Sequence, residues 1–201
     1  ALFEKAIEAF DYCTAINDKF SSAYFNKANA LVQLEKYAEA IDNYKEVIHI
    51  EEAQAITCCY IGECYEKLED TESAAYYYKK AIDLDEEFSD AWVGLGIIHD
   101  MKGDVQAAIE CLDKAVLLSP LNADHWFIFA EALEKVGQTE RARTAYEKVI
   151  QLDIENIEAW LDYSTFVFEN DNSLKALEII QEALTHKPEN ADLIYRKVIY
   201  L

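Results

Sequence analysis

The sequence predicts an all-α protein, a solenoid of antiparallel helix pairs stacked side by side. Three observations predict it. Ala6, Ala40, Ala74, Ala108, Ala142 and Ala176 recur every 34 residues without a slip, and a fixed period of this length marks stacked repeats. Each alanine is followed four residues later by a larger apolar side chain: Phe10, Tyr44, Tyr78, Leu112, Tyr146 and Ile180. The 201 residues hold only five glycines and two prolines, so no segment reads as a flexible linker, and no period-2 alternation competes for a sheet.

Each repeat is numbered so that its alanine is position 20, and the elements then follow in order. Residues 1–20 read as the second helix of an earlier pair, helical over 3–16. Five complete repeats follow: 21–54, 55–88, 89–122, 123–156 and 157–190. Their first helices are expected over 21–34, 55–68, 89–102, 123–136 and 157–170, because positions 4, 7, 8 and 11 are apolar at helical spacing. Position 4 is Tyr24, Cys58, Trp92, Trp126 and Trp160, against a small residue at position 8: Ala28, Gly62, Gly96, Ala130 and Ser164. Such alternation of large and small is what close packing requires. The second helices are expected over 37–50, 71–84, 105–118, 139–152 and 173–186, with apolar positions 17, 20, 21, 24, 27 and 28. Position 15, between the two, is Gly103 or Gly137 in two repeats, where a left-handed residue ends a helix well. Glu35, Glu69 and Asp171 are less comfortable there. A last helix of the first type begins near Ala191. Its segment from Leu193 to Leu201 is apolar on more than one face, unlike a polar capping helix.

The third repeat carries Trp92-x-x-Leu95-Gly96, then Ala108-x-x-x-Leu112, then Pro120. Pattern and period resemble the tetratricopeptide repeat, and the resemblance covers the whole chain in unbroken register. Only Pro120 and Pro188 take the family's proline position; Asp18, Glu52, Glu86 and Ile154 replace it elsewhere. Those junctions are expected to be more helical than turned. The resemblance implies one right-handed superhelical array over 1–201, an α-solenoid whose first helices line a concave groove. The chain lacks an initiator Met and starts and stops inside a repeat, so it is expected to be an excised piece, or a processed form, of a longer array.

Chemistry-bearing motifs are missing. The five cysteines are odd in number and lack small-domain spacing, which argues against a disulfide framework. Cys58, Cys59 and Cys64 suggest a metal cluster superficially, but adjacent residues on a helix point about 100° apart. They read as reduced structural thiols, and a reducing, cytoplasmic compartment follows. His49, His99, His125 and His186 have no second His or Cys one turn away. No nucleophile elbow, phosphate loop or dinucleotide fingerprint occurs. The expectation is no enzyme, no cofactor and no metal. No apolar run is long enough to span a bilayer, and no secretory leader is visible. The net charge of −21 is spread over all five repeats. It disfavours nucleic acid and anionic membrane surfaces alike, and serves either solubility or the attraction of basic partners.

The expected site is therefore the groove. Positions 2, 5, 9 and 12 share the face of the first helix away from its core contacts. Position 5 is an apolar row, Phe25, Cys59, Val93, Phe127 and Leu161, which either receives a ligand or packs on the adjacent pair. Around it lie Asn29, Glu63, Ile97, Glu131 and Thr165 at position 9. Asp90 and Asp124 stand at position 2, and Glu66 and Glu134 at position 12. This is a bed for a protein or peptide with apolar anchors and basic flanks. Two groove chemistries that the resemblance brings to mind do not match. The carboxylate clamp of co-chaperones meets Phe25, Tyr60, Asp90 and Gly94 where it needs lysine, asparagine and a final basic pair. The asparagine ladder of glycosyltransferase arrays has Asn26, then Tyr60, Gly94, Ile128 and Asp162. The leading expectation is a non-enzymatic interaction scaffold that can self-associate through its open C-terminal end. The alternative is the non-catalytic repeat region of a larger enzyme or sensor.

Overall fold

The computed structural model describes residues 2–201; Ala1, the first residue of the expected partial repeat, lies outside the described residues. Those residues form twelve α-helices and no strand. Helices of the first type are α2 (Ser21–Val32), α4 (Ala55–Lys67), α6 (Ser89–Met101), α8 (Ala123–Lys135), α10 (Ile157–Asn170) and α12 (Ala191–Tyr200). Those of the second type are α1 (Leu2–Ile16), α3 (Tyr37–Ile50), α5 (Thr71–Leu84), α7 (Val105–Leu118), α9 (Thr139–Leu152) and α11 (Ser173–His186). Every expected span holds to within two residues. The chain forms two compact units, Ala1–Cys111 and Leu112–Leu201.

In both units the position-20 alanines are sealed: Ala40, Ala74, Ala108, Ala142 and Ala176 are all 0% exposed. A methyl is all that fits where two helices approach this closely. In the first unit the core gathers Leu31, Ile41, Tyr44 and Ile61, then Tyr78, Ile82, Leu95 and Ile98. In the second, Leu133, Tyr146, Val149, Trp160, Phe166 and Ile180 are buried. The last helix buries Leu193 and Tyr200, whose ring stacks on Phe168 at 4.9 Å, and leaves Ile194, Tyr195, Val198 and Ile199 exposed. Tyr200 is thus part of the packed face and not of the open one.

The junctions between repeats correct one expectation. Where proline is missing the chain is not more helical; the helix stops at every junction. At Asp18, Glu86 and Ile154 the preceding residue does the work. Asn17, Asp85 and Asp153 each accept the backbone N–H two residues on, at 3.1, 3.0 and 3.1 Å. This Asx turn competes with the helix as effectively as a proline. At the Glu86, Pro120 and Ile154 junctions the indole N–H of Trp92, Trp126 and Trp160 donates to the carbonyl oxygen of Glu86, Pro120 and Ile154, each at 3.0 Å. The repeating tryptophan therefore fixes the turn whether or not proline is present. Asn122, Asn156 and Asn190 then cap the next helix by accepting its early N–H groups.

Position 15 shows how far the repeat frame overrides residue preference. Glu35 and Glu69 take φ of 57° and 59°, beside Gly103 at 79° and Gly137 at 70°. Asp171 instead keeps φ at −118°, held by Arg143 at 2.7 Å and Lys175 at 3.3 Å. A left-handed conformation costs a non-glycine residue about 1–2 kcal/mol. Glu69→Gly is therefore expected to stabilise the chain by about 1 kcal/mol, whereas Asp171→Gly, which loses both ion pairs, destabilises it. Urea unfolding of the two variants checks the difference in sign.

Candidate functional site

The face offered by the first-type helices begins with position 5. Cys59 and Val93 are buried, at 1% and 7% exposure, so neither offers a side chain to a ligand. Phe25, Phe127 and Leu161 are half-buried. The ring of Phe25 packs against Tyr44 and Tyr60, with centroids 5.6 and 5.8 Å away, and Phe127 meets the edge of Tyr146 at 6.4 Å. The apolar row is thus broken in the middle, and its two phenylalanines lean on tyrosines.

Tyr44 and Tyr146, with Tyr78, come from position 24 of the second helix and reach through the pair. Tyr44 donates its hydroxyl to Asn29 Oδ1 at 2.5 Å, Tyr78 to Glu66 Oε2 at 2.8 Å, and Tyr146 to Glu134 Oε2 at 2.7 Å. Burial pushes the phenol pKa of all three well up, and nearby carboxylates and thiols push further. Each stays a neutral donor. Glu66 and Glu134 are accordingly held in place and are not loose surface charges.

Two pockets open at equivalent places in the repeat, each within one compact unit. The first has a volume of 340 Å³ and is lined by Asn29, Val32 and Gln33 of α2 with its following turn, Tyr37 and Tyr44 of α3, and Tyr60, Glu63, Cys64 and Lys67 of α4. The second, of 690 Å³, is lined by Glu131, Glu134 and Lys135 of α8, Tyr146 of α9, and Asp162, Thr165, Glu169 and Asn170 of α10. Residue for residue the two share register: Asn29 with Glu131, Tyr44 with Tyr146, Tyr60 with Asp162, Glu63 with Thr165. One repeat after the first pocket, position 6 is Gly94, and the ring of Tyr78 fills its place; a Cβ there would lie 2.2 Å from the ring.

The acidic pocket is electrostatically frustrated. Burial raises the Glu131 carboxyl above the ordinary carboxylate range, and Asp162, Glu158 and Glu134 raise it further against the pull of Lys135. Asp162 is raised in the same way, by burial first and then by Glu158 and Glu134, with Arg196 opposing. In the first unit burial raises Glu63, and Glu66 and Asp90 add to it. The thiol of Cys59, 3.7 Å away, and Lys67 pull it down. Glu63 and Glu131 both keep exposed surface, yet protein rises on either side of each carboxyl and strips part of its water. Thr165 is already engaged: it donates to the Leu161 carbonyl and accepts from the guanidinium of Arg196.

Of the expected residues, then, Glu131, Glu134 and Thr165 share one pocket, and Asn29 and Glu63 the other. Asp90 and Asp124 are exposed at position 2, Ile97 is half-buried, and neither pocket takes in Phe127 or Leu161. Position 6, which holds no asparagine ladder, nonetheless lines both pockets. Tyr60 and Asp162 lie four residues after position 2 and three before position 9, on the same helical stripe. Cys58, Cys59, Cys64 and Cys111 are buried with thiols raised by desolvation, Cys64 to about 12, so they are inert packing groups.

Family models of the tetratricopeptide repeat match residues 21–54, 65–127 and 102–157. The chain belongs to the tetratricopeptide repeat family. Its all-α solenoid fold is shared by solved structures of that family. A chain of the APC/C hetero-tetramer Cut9–Hcn1 superposes with a TM-score of 0.78 at 17% identity, covering 99% of this chain and 40% of that one. Pseudomonas aeruginosa PilF gives 0.77 at 16% identity, covering 98% and 89%. YrrB, described as a tetratricopeptide repeat protein with an unusual peptide-binding site, gives 0.68 at 22% identity, covering 95% and 98%. Comparison with curated protein sequences gives no match. At such identities the likeness is one of fold alone.

The raised carboxyls carry a pH signature. A carboxyl whose folded pKa lies above its unfolded value favours the fold in its protonated form. Its contribution is fully present below the unfolded pKa and is lost as pH rises through the folded pKa. Glu131→Gln is therefore expected to raise Tm at pH 7, by about 1–2 °C for a half-exposed site. The gain shrinks as pH falls toward about 4. Thermal melts between pH 4 and 8 check this; an equal gain at both ends contradicts it.

Proposed function

We propose that the chain is a non-enzymatic scaffold, one array over 1–201, whose first-type helices hold a basic polypeptide segment with apolar anchors. The fold itself is that of protein-interaction scaffolds. The observation that supports the finer reading is the pocket of Glu131, Glu134 and Asp162. Burial and the neighbouring carboxylates raise the proton affinity of Glu131 and Asp162, and an incoming ammonium or guanidinium group relieves that repulsion. A net charge of −21 steers such a partner and repels nucleic acid and anionic lipid. Its four buried neutral thiols suit a reducing, cytoplasmic setting. The exposed Ile194, Tyr195, Val198 and Ile199 of α12 support self-association at that end. The second reading, a non-catalytic region of a larger protein, has one observation in its favour: the chain spans 40% of the length of the Cut9–Hcn1 chain it resembles.

A peptide-array screen tests the groove. Basic peptides with apolar residues are expected to be enriched, and enrichment of acidic peptides overturns the reading. For a selected peptide, Glu131→Lys is expected to slow association and flatten its salt dependence. Phe127→Ala leaves association nearly unchanged and raises the dissociation rate about 5- to 30-fold. Stopped-flow or surface-binding kinetics separates the two. Sedimentation velocity tests the end contact: Val198→Glu is expected to abolish any concentration-dependent association of the wild type.

A further inference from the structure

The tyrosine-lined pocket of the first unit differs in chemistry from its counterpart in register. At 340 Å³ it lies at the low end of ligand pockets, which run from about 300 to 1,000 Å³, and so suits one large side chain. Its wall is rigid. Tyr44 and Tyr60 stack with centroids 5.7 Å apart, Phe25 braces both, and Tyr44 is tethered to Asn29. Tyr37 closes another side, and Glu63 stands beside the rings with a weak thiol donor, Cys59, on its carboxyl. Lys67, one turn further along α4, is exposed and long enough to swing into solvent.

We propose that this pocket is a subsite for a single arginine side chain of the bound segment, its guanidinium lying against the tyrosine rings and its N–H fork on Glu63. Three alternatives fit less well. A purely apolar side chain would desolvate Glu63 further and offer it nothing. A lysine ammonium is compact and strongly hydrated, and it cannot stack. A neutral amide stacks without neutralising the carboxylate. Guanidinium is planar, weakly hydrated and forked, and it pairs with carboxylates while lying on aromatic faces. Gln33 also lines the pocket, and an amide oxygen can accept a remaining N–H.

The molecule already holds one guanidinium beside a tyrosine and the same repeat position. In the second unit Arg196 lies 6.0 Å from the ring centroid of Tyr200 and donates to the hydroxyls of Tyr200 and Thr165, the latter in register with Glu63. The acidic pocket there has Asp162 where the first has Tyr60, and no aromatic ring in the place of Tyr37, whose register holds Thr139. It takes a cation by charge alone, without regard to whether it is lysine or arginine. The subsite rests on the reading of this face as a bed for a basic segment and narrows it to arginine at one point.

Titration of the full chain with Nα-acetyl-arginine methylamide, followed by the ring-proton NMR signals of Tyr37 and Tyr60, tests it. A saturable shift is expected in the millimolar range. The neutral isostere, Nα-acetyl-citrulline methylamide, and the lysine analogue should bind at least about fivefold more weakly. Glu63→Gln, a change at an exposed position that preserves shape, should erase the preference for arginine over citrulline; Glu178→Gln, at an exposed position of α11 outside both pockets, should leave it intact. Equal binding of citrulline, or no saturable shift at these rings, overturns the subsite. The outcome is separable from that of the peptide screen. Basic peptides that bind equally well after Glu63→Gln keep the groove and remove the subsite. An arginine titration that succeeds while the screen selects no basic peptide keeps the subsite and removes the groove.

Discussion

Everything in this molecule depends on how closely the two helices of a pair can approach at position 20. Five of the six alanines there have no exposed surface at all. A methyl at the crossing lets the larger side chain four residues later pass between the helices and emerge on the far side. Where that side chain is tyrosine, its hydroxyl meets a groove residue: Asn29, Glu66 or Glu134. Core and surface are thus joined by single side chains. The same contact that fills the interior also fixes an acceptor on the binding face. Leu112 and Ile180 take that position in other repeats and carry no hydroxyl, so their repeats cannot fix a groove residue in this way.

The helices were legible because their signal is redundant. Six copies of one pattern set the register, and the expected ends fall within two residues of those observed. The junctions were half legible. The proline position was read, but the Asn or Asp one residue earlier was not, although Asn17, Asp85 and Asp153 stand in plain sequence wherever an Asx turn replaces proline. The binding face was legible only in outline. Cys59 and Val93 lie on the expected stripe yet face the core, because a stripe gives a direction around one helix and says nothing of how near the next repeat comes. Position 6 was legible only as the absence of an asparagine ladder. Its residues, Tyr60, Gly94 and Asp162, share no chemistry, so no periodic signal marked them.

That variety is itself informative. The repeat frame holds backbone geometry nearly constant while position 6 changes from tyrosine to glycine to aspartate. One seam becomes an aromatic pocket, the next is filled by the ring of Tyr78, and another becomes an acidic pocket. Differences in recognition along a repeat protein need no change of fold. They need only different side chains at equivalent places, and the raised carboxyls of Glu63, Glu131 and Asp162 show where desolvation makes charge most responsive to a partner.

The most direct measurement is a crystal structure of the chain with an array-selected peptide. The account predicts the peptide on the first-type helices, with a basic side chain within about 4 Å of the carboxylates of Glu131 or Asp162. A peptide lying on the second-type helices α9 and α11, or one that brings no cation to either carboxylate, would contradict it.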